Sequence, residues 1–174
     1  MKLFTALALV ATAFLGVLLA GPKAGLTARD MGGKRVHLRD YHGKIVVLNF
    51  WATWCGPCRE ELPMLVASAS EYAGRGVQFI AVSLDDSKGM RHVPEFVTRY
   101  HIDFPVLVGA TADDLDRLKM GPAVPATAFF DQEGHIVARV SGEIRKTELQ
   151  QRIDWLLGDR KSPAPEPFVS HLDH

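Results

Sequence analysis

Cysteine is scarce in this chain: two residues among 174, at Cys55 and Cys58. A disulfide framework needs pairs spread along the sequence and a structural zinc site needs a second CxxC, so both are excluded. Charge of one sign is also missing, because 20 Lys plus Arg stand against 20 Asp plus Glu. With no net field, a nucleic-acid partner or a strongly charged substrate has nothing to hold it. The seven histidines are scattered, and none stands at metal-ligand spacing from the cysteines. His171 and His174 form an i, i+3 pair near the end of the chain, to which no metal is assigned. There are no internal repeats. Composition is otherwise ordinary for one globular domain, with 47% hydrophobic and 23% charged residues.

A long apolar run begins at once. Leu3 to Gly21 carries no charge and is broken only by Thr5, Thr12 and Gly16. It is long enough to cross a bilayer as a helix and longer than the ~7–15 apolar residues of most cleavable signals. Leu18 and Pro22 stand where a small-x-small cleavage site would want small residues, so an uncleaved anchor is preferred over a removed signal. No Cys follows directly, which excludes a lipoprotein anchor. The flanking charges, Lys2 before and Lys23, Arg29, Lys34 and Arg35 after, do not by themselves orient the domain outward. Residues 22–30 read as a linker.

Gly32-Gly33 with Val36 and Leu38 predict the second half of a small hairpin. Ile45 to Phe50 is a continuous aliphatic and β-branched run, the pattern of a strand buried on both faces. From Cys55 a helix is expected through about Ala73, with Pro57 near its start and Pro63 inside it as a kink. Val77 to Leu84 reads as a second buried strand, Val93 to Tyr100 as a helix, Pro105 to Val108 as a short strand and Ala112 to Met120 as a short helix. Ala126 to Phe130 and His135 to Val140 form a hairpin across Asp131-Gln132-Glu133-Gly134. Thr147 to Leu157 is an amphipathic helix. The order predicts an α/β domain over residues 31–157, a mixed sheet with helices on both faces. Residues 158–174, with Pro163, Pro165 and Pro167, are expected to form a loose tail.

Three stretches carry a resemblance: Asn49-Phe50-Trp51-Ala52-Thr53-Trp54-Cys55-Gly56-Pro57-Cys58-Arg59-Glu60-Glu61-Leu62-Pro63, Val124-Pro125-Ala126-Thr127-Ala128-Phe129-Phe130-Asp131, and Gly142 before the last helix. From about residue 30 to 157 the chain resembles the thioredoxin superfamily, and within it the membrane-anchored TlpA, ResA and CcmG-like disulfide reductases. The resemblance implies a thioredoxin-like fold, a redox-active Cys55–Cys58 disulfide and no other cofactor. It also implies an extracytoplasmic, periplasmic domain, anchored in the inner membrane or released after signal cleavage. Asn49 departs from the fold-wide pattern, in which a buried Asp stands beside the Phe-Trp pair. Glu61, three residues after the second cysteine as in the TlpA and ResA branch, is the candidate for that Asp's proton-relay role. The resemblance further implies that Pro125 is cis, leaving the Val124 backbone free to pair with an extended substrate segment.

Disulfide exchange needs a thiolate, whereas a free Cys titrates near pH ~8.5. A helix starting at Cys55 would aim unpaired N–H groups at its sulfur. Cys55 is therefore the expected nucleophile, and Cys58, one turn on, resolves the mixed disulfide. Gly56 and Pro57 tune the redox poise. Glu61, on the same helix face as Cys58, could take its proton if burial raises its pKa. Trp54 reads either as a shield of the site or as core packing.

The expected partners are protein thiols and disulfides. By resemblance these are apocytochrome c haem-binding cysteines or a copper chaperone for cytochrome oxidase, with a membrane thiol carrier of the DsbD or CcdA type as electron donor. A dithiol oxidase of the DsbA kind is the enzymatic alternative, disfavoured by Gly56-Pro57 in place of Pro-His. A copper-binding assembly protein using both thiolates is the alternative from another class. A peroxiredoxin-like peroxidase is disfavoured because the Pro-x-x-x-Thr-x-x-Cys pattern is absent.

Overall fold

The computed structural model describes residues 25–158 and 163–172. The expected membrane segment, Leu3 to Gly21, lies outside the described residues; among these, no helix is long and apolar enough to cross a membrane. The chain order is β1 (Thr27–Asp30), β2 (Arg35–His37), β3 (Ile45–Trp51), α1 (Gly56–Glu71), β4 (Val77–Ser83), α2 (Val93–Arg99), β5 (Val106–Val108), α3 (Ala112–Arg117), β6 (Ala126–Phe130), β7 (Ile136–Ser141), α4 (Lys146–Leu157) and β8 (Phe168–Ser170).

The eight strands form one mixed sheet in the order β2-β1-β5-β4-β3-β6-β7-β8. β3 lies at its centre, parallel to β4 and antiparallel to β6. All seven β3 residues are buried, which is why the run needs an apolar side chain at nearly every position and not at alternate ones. Val46, Leu48 and Phe50 face one core with Leu115 and Leu118 of the α3 region. Ile45 and Val47 face the other, with Leu65 of α1 and Leu149 and Ile153 of α4. At the C-terminal end of β3, Trp51 and Ala52 pack with Cys55, Cys58, Leu62 and Val93. Helices thus cover both faces, and Asn49, alternating with Phe50, points to the face that carries α1.

Two boundaries need correction. The linker expected over residues 22–30 ends earlier, because Thr27–Asp30 is β1, paired to β2 on one side and β5 on the other. Asp30 closes the hairpin: its carboxylate accepts the Lys34 N–H at 2.9 Å and its carbonyl accepts the Gly33 N–H at 2.9 Å, with Gly33 at φ 85°. The loose tail expected over 158–174 contains β8, parallel to β7 with Arg139, Val140 and Ser141 opposite Phe168, Val169 and Ser170. β7 would otherwise be a bare sheet edge with unpaired backbone groups, and the tail covers it. The helix expected from Cys55 is α1, and its helical assignment runs unbroken through Pro63.

Candidate redox site

The site is built where β3 ends and α1 begins. Cys55 is the N-cap of α1, with φ −83° and ψ 113°, and its sulfur accepts the Cys58 N–H at 3.2 Å. Pro57 stands in the first turn, where a missing N–H leaves no intrahelical bond unmade. Cys55 and Cys58 are joined by a disulfide. Cys55 keeps 4% of its surface accessible and Cys58 none, so a partner entering from solvent meets Cys55 first. The Val124–Pro125 peptide bond is cis, and the Val124 carbonyl oxygen lies 3.6 Å from Cys55 Sγ. The cis-Pro125 segment leading into β6 and the start of α1 therefore meet at that sulfur.

Glu61 lies deeper than a helix face alone would place it, at 2% exposure. Its Oε1 accepts from the Asn49 side-chain amide at 2.7 Å, and its Oε2 accepts from the Ile144 N–H at 3.0 Å. The same Asn49 amide donates to Thr127 Oγ1 at 3.1 Å. Burial raises the Glu61 pKa from 4.5 to about 7; the hydrogen bonds from Ile144 and Asn49 oppose the rise, and the neighbouring Glu143 adds to it. The carboxyl is thus placed to gain and lose a proton near neutrality. Asn49, noted in the sequence only as a departure, is the residue that holds it.

Trp54 is 67% exposed, which rules out the core-packing alternative for it. Its neighbour Thr53 turns inward to Asp85, a residue that sequence reasoning passed over. The buried Asp85 carboxylate accepts the Thr53 N–H at 3.0 Å, the Thr53 hydroxyl at 2.5 Å and the Ser83 hydroxyl at 2.8 Å. These bonds tie the loop before Cys55 to the end of β4. The only signal was the Ser83-Leu84-Asp85 pattern at a strand end, whose partner lies 32 residues away.

Asp131, Glu133 and His135 bring one candidate ligand atom each within 4.8 Å of one another. They sit in the β6–β7 turn, at the opposite end of β6 from Pro125, where Asp131 accepts the Glu133 and His135 N–H groups as a turn-closing side chain.

A family model described as AhpC/TSA matches residues 20–139. The thiol-disulfide oxidoreductase ResA of Bacillus cereus is 35% identical over 121 residues, which are 70% of this chain and 68% of that one. Among solved structures, a Chlorobium tepidum protein provisionally described as thiol:disulfide interchange protein DsbE superposes with TM-score 0.71 at 29% identity, covering 80% of this chain and 98% of that one. A secreted Mycobacterium tuberculosis disulfide oxidoreductase homologous to E. coli DsbE gives TM-score 0.65 at 26% identity, over 77% and 98%. These matches share the fold and the reaction class that a disulfide at the start of a helix requires. The chain belongs to the AhpC/TSA family of thioredoxin-like proteins and is a thiol-disulfide oxidoreductase of the ResA and DsbE type.

Proposed function

We propose that the protein is an extracytoplasmic disulfide reductase in which Cys55 attacks, Cys58 resolves and Glu61 carries the proton of Cys58. The observation that supports this best is the Cys58 N–H aimed at Cys55 Sγ from the first turn of α1, which favours negative charge on that sulfur. In the reduced protein the Cys55 thiolate attacks one sulfur of a client disulfide. A mixed disulfide forms, and the other client sulfur leaves as thiolate. The Cys58 thiol then gives its proton to the Glu61 carboxylate, and its thiolate attacks Cys55. The Cys55–Cys58 bond forms and the second client thiolate departs. Two electrons pass from the dithiol to the client, and the proton on Glu61 returns to a departing thiolate or to water.

Asn49 suits both states of that carboxyl. Its amide donates to the carboxylate as it stands. Turned over, its Oδ1, which has no partner now, would accept from the protonated acid, while the Thr127 hydroxyl can donate as well as accept. Trp54, Gly56, Pro57, Val124 and Pro125 form the client-facing surface in this reading, with the Val124 backbone offered to an extended segment. The clients are apocytochrome c cysteines or a cytochrome oxidase copper chaperone, and the donor is a membrane dithiol carrier of the DsbD or CcdA type. The domain is held at the membrane by residues 1–21. ResA and DsbE relatives support the reaction class of this proposal.

Trapping tests it. Cys58→Ala should accumulate mixed disulfides through Cys55, and mass spectrometry of the trapped chains names the client. Equal trapping by Cys55→Ala would show that the nucleophile has been misassigned. A reduction potential near −120 mV, as about that of DsbA, would favour the oxidase instead.

A further inference from the structure

The turn joining β7 to α4, residues 142–145, touches both halves of the redox site. Its Gly142 N–H donates to the Pro125 carbonyl at 2.8 Å, and its Ile144 N–H donates to Glu61 at 3.0 Å. The C-terminal segment is fastened to the same turn from outside. The His171 N–H donates to the Ser141 carbonyl at 2.7 Å, directly before the turn. His171 Nε2 lies 3.1 Å from both Glu148 carboxylate oxygens, and Glu148 in turn accepts the Arg145 N–H at 3.2 Å, at the turn's far end. Between these two attachments Gly142 has φ 91°, and a Cβ there would come within 3.0 Å of His171 Cβ and 3.1 Å of its carbonyl carbon. The segment thus holds the turn at its start, by Ser141 and Gly142, and at its end through Glu148.

We propose that β8 and His171 form a positioning element of the redox site, holding the 142–145 turn so that its N–H groups stay aimed at Glu61 and at the Pro125 carbonyl. His171 touches none of the reacting atoms; it acts through the turn. The inference rests on the reading of Glu61 as the proton carrier. A short strand adds little burial of its own, so its loss is felt where its hydrogen bonds end and not throughout the sheet. Once the turn loosens, water reaches Glu61 and relieves the burial that dominates its raised pKa. The groups facing Glu61 are the Asn49 amide from β3, itself bonded to Thr127 of β6, and the Ile144 N–H and Glu143 from the turn. His171 faces Glu148 of α4, whose backbone carbonyl also accepts from the Arg152 guanidinium.

The test compares the full chain with a chain ending at Pro167 and with His171→Ala and His171→Gln. Native-state hydrogen exchange should show the Gly142 and Ile144 amides exchanging about tenfold faster in the first two variants, with β3 and β4 amides unchanged. The pH profile of exchange with a small aromatic disulfide should move its inflection to lower pH in both. His171→Gln keeps a donor toward Glu148 and should restore most of the protection. Unchanged protection at Ile144 in the shortened chain overturns the inference; so does equal acceleration of every sheet amide, which would make the segment a general brace. Glu61→Gln separates this inference from its premise. If that variant keeps the parent profile, the reading of Glu61 fails, whereas if it loses the inflection and the shortened chain retains it, only the positioning role fails.

Discussion

Two buried carboxylates flank the redox loop, and they are held in different ways. Asp85 receives one backbone N–H and two hydroxyls, and every one of these donors belongs to the loop before Cys55 or to the end of β4. Glu61 receives one backbone N–H and one amide, from a turn and a strand that the chain brings together over long separations. Burial leaves it at about 7. Asp85 is a fixed anchor whose hydrogen bonds shape the backbone, while Glu61 is a group that can change its charge at working pH. Depth alone does not separate the two. What separates them is what the donors are attached to, and whether a redox sulfur lies one turn away.

The largest effect that would break this contrast is expected from Asp85→Ala. It strands a backbone N–H and two hydroxyls, and should cost about 3 to 4 kcal/mol in urea unfolding. A loss under about 1 kcal/mol would mean the loop holds itself. Next comes the pH dependence of stability. Between pH 4.5 and about 7 the folded protein keeps a proton on Glu61 that the unfolded chain has released. Stability therefore falls as pH rises through that window, by about 3 kcal/mol in all. Glu61→Gln should flatten the curve and be the more stable protein above pH 8. The same variant should slow the resolving step about a hundredfold in stopped-flow experiments and erase the inflection near pH 7. A parallel decline in parent and variant would assign the slope to another group. Thr53→Val removes a single donor to Asp85 and should cost about 1 kcal/mol, with Thr53→Ser close to neutral. Smallest is Trp54→Ala: stability should change by less than about 0.5 kcal/mol, because the ring is in water, while the rate with protein clients falls and the rate with a small disulfide does not.

Much of the fold was legible because its centre is local and strongly patterned. The β3 run, the helix start at Cys55 and the β6–β7 hairpin each carry their signal within a dozen residues, and all three occur where expected. The N-terminal hairpin was expected but its first strand, β1, was left in the linker: it is four residues long and is held by β2 next to it and by β5 far along the chain. β8 was missed because its three residues form a strand only against β7, some way back along the chain. The prolines before Phe168 point locally to an irregular segment, and the open edge of β7 overrides them. At the site, helical spacing put Glu61 one turn after Cys58 but could not give its depth, which depends on Asn49 and Ile144 closing over it. Asp85 reads as a loop acid until Thr53 is seen to turn toward it.

The three tryptophans also report on the chemistry. Trp51 is fully buried and packs in one cluster with Cys55 and Cys58, Trp155 on α4 is partly buried against the core that α1 and α4 cover, and Trp54 stands in water. A disulfide beside an excited indole drains its emission, so light from Trp51 should brighten when the bond opens. Trp54, red-shifted by solvent, should change colour when a client covers it. Reduction and docking would then be followed separately in a cuvette, without an added dye.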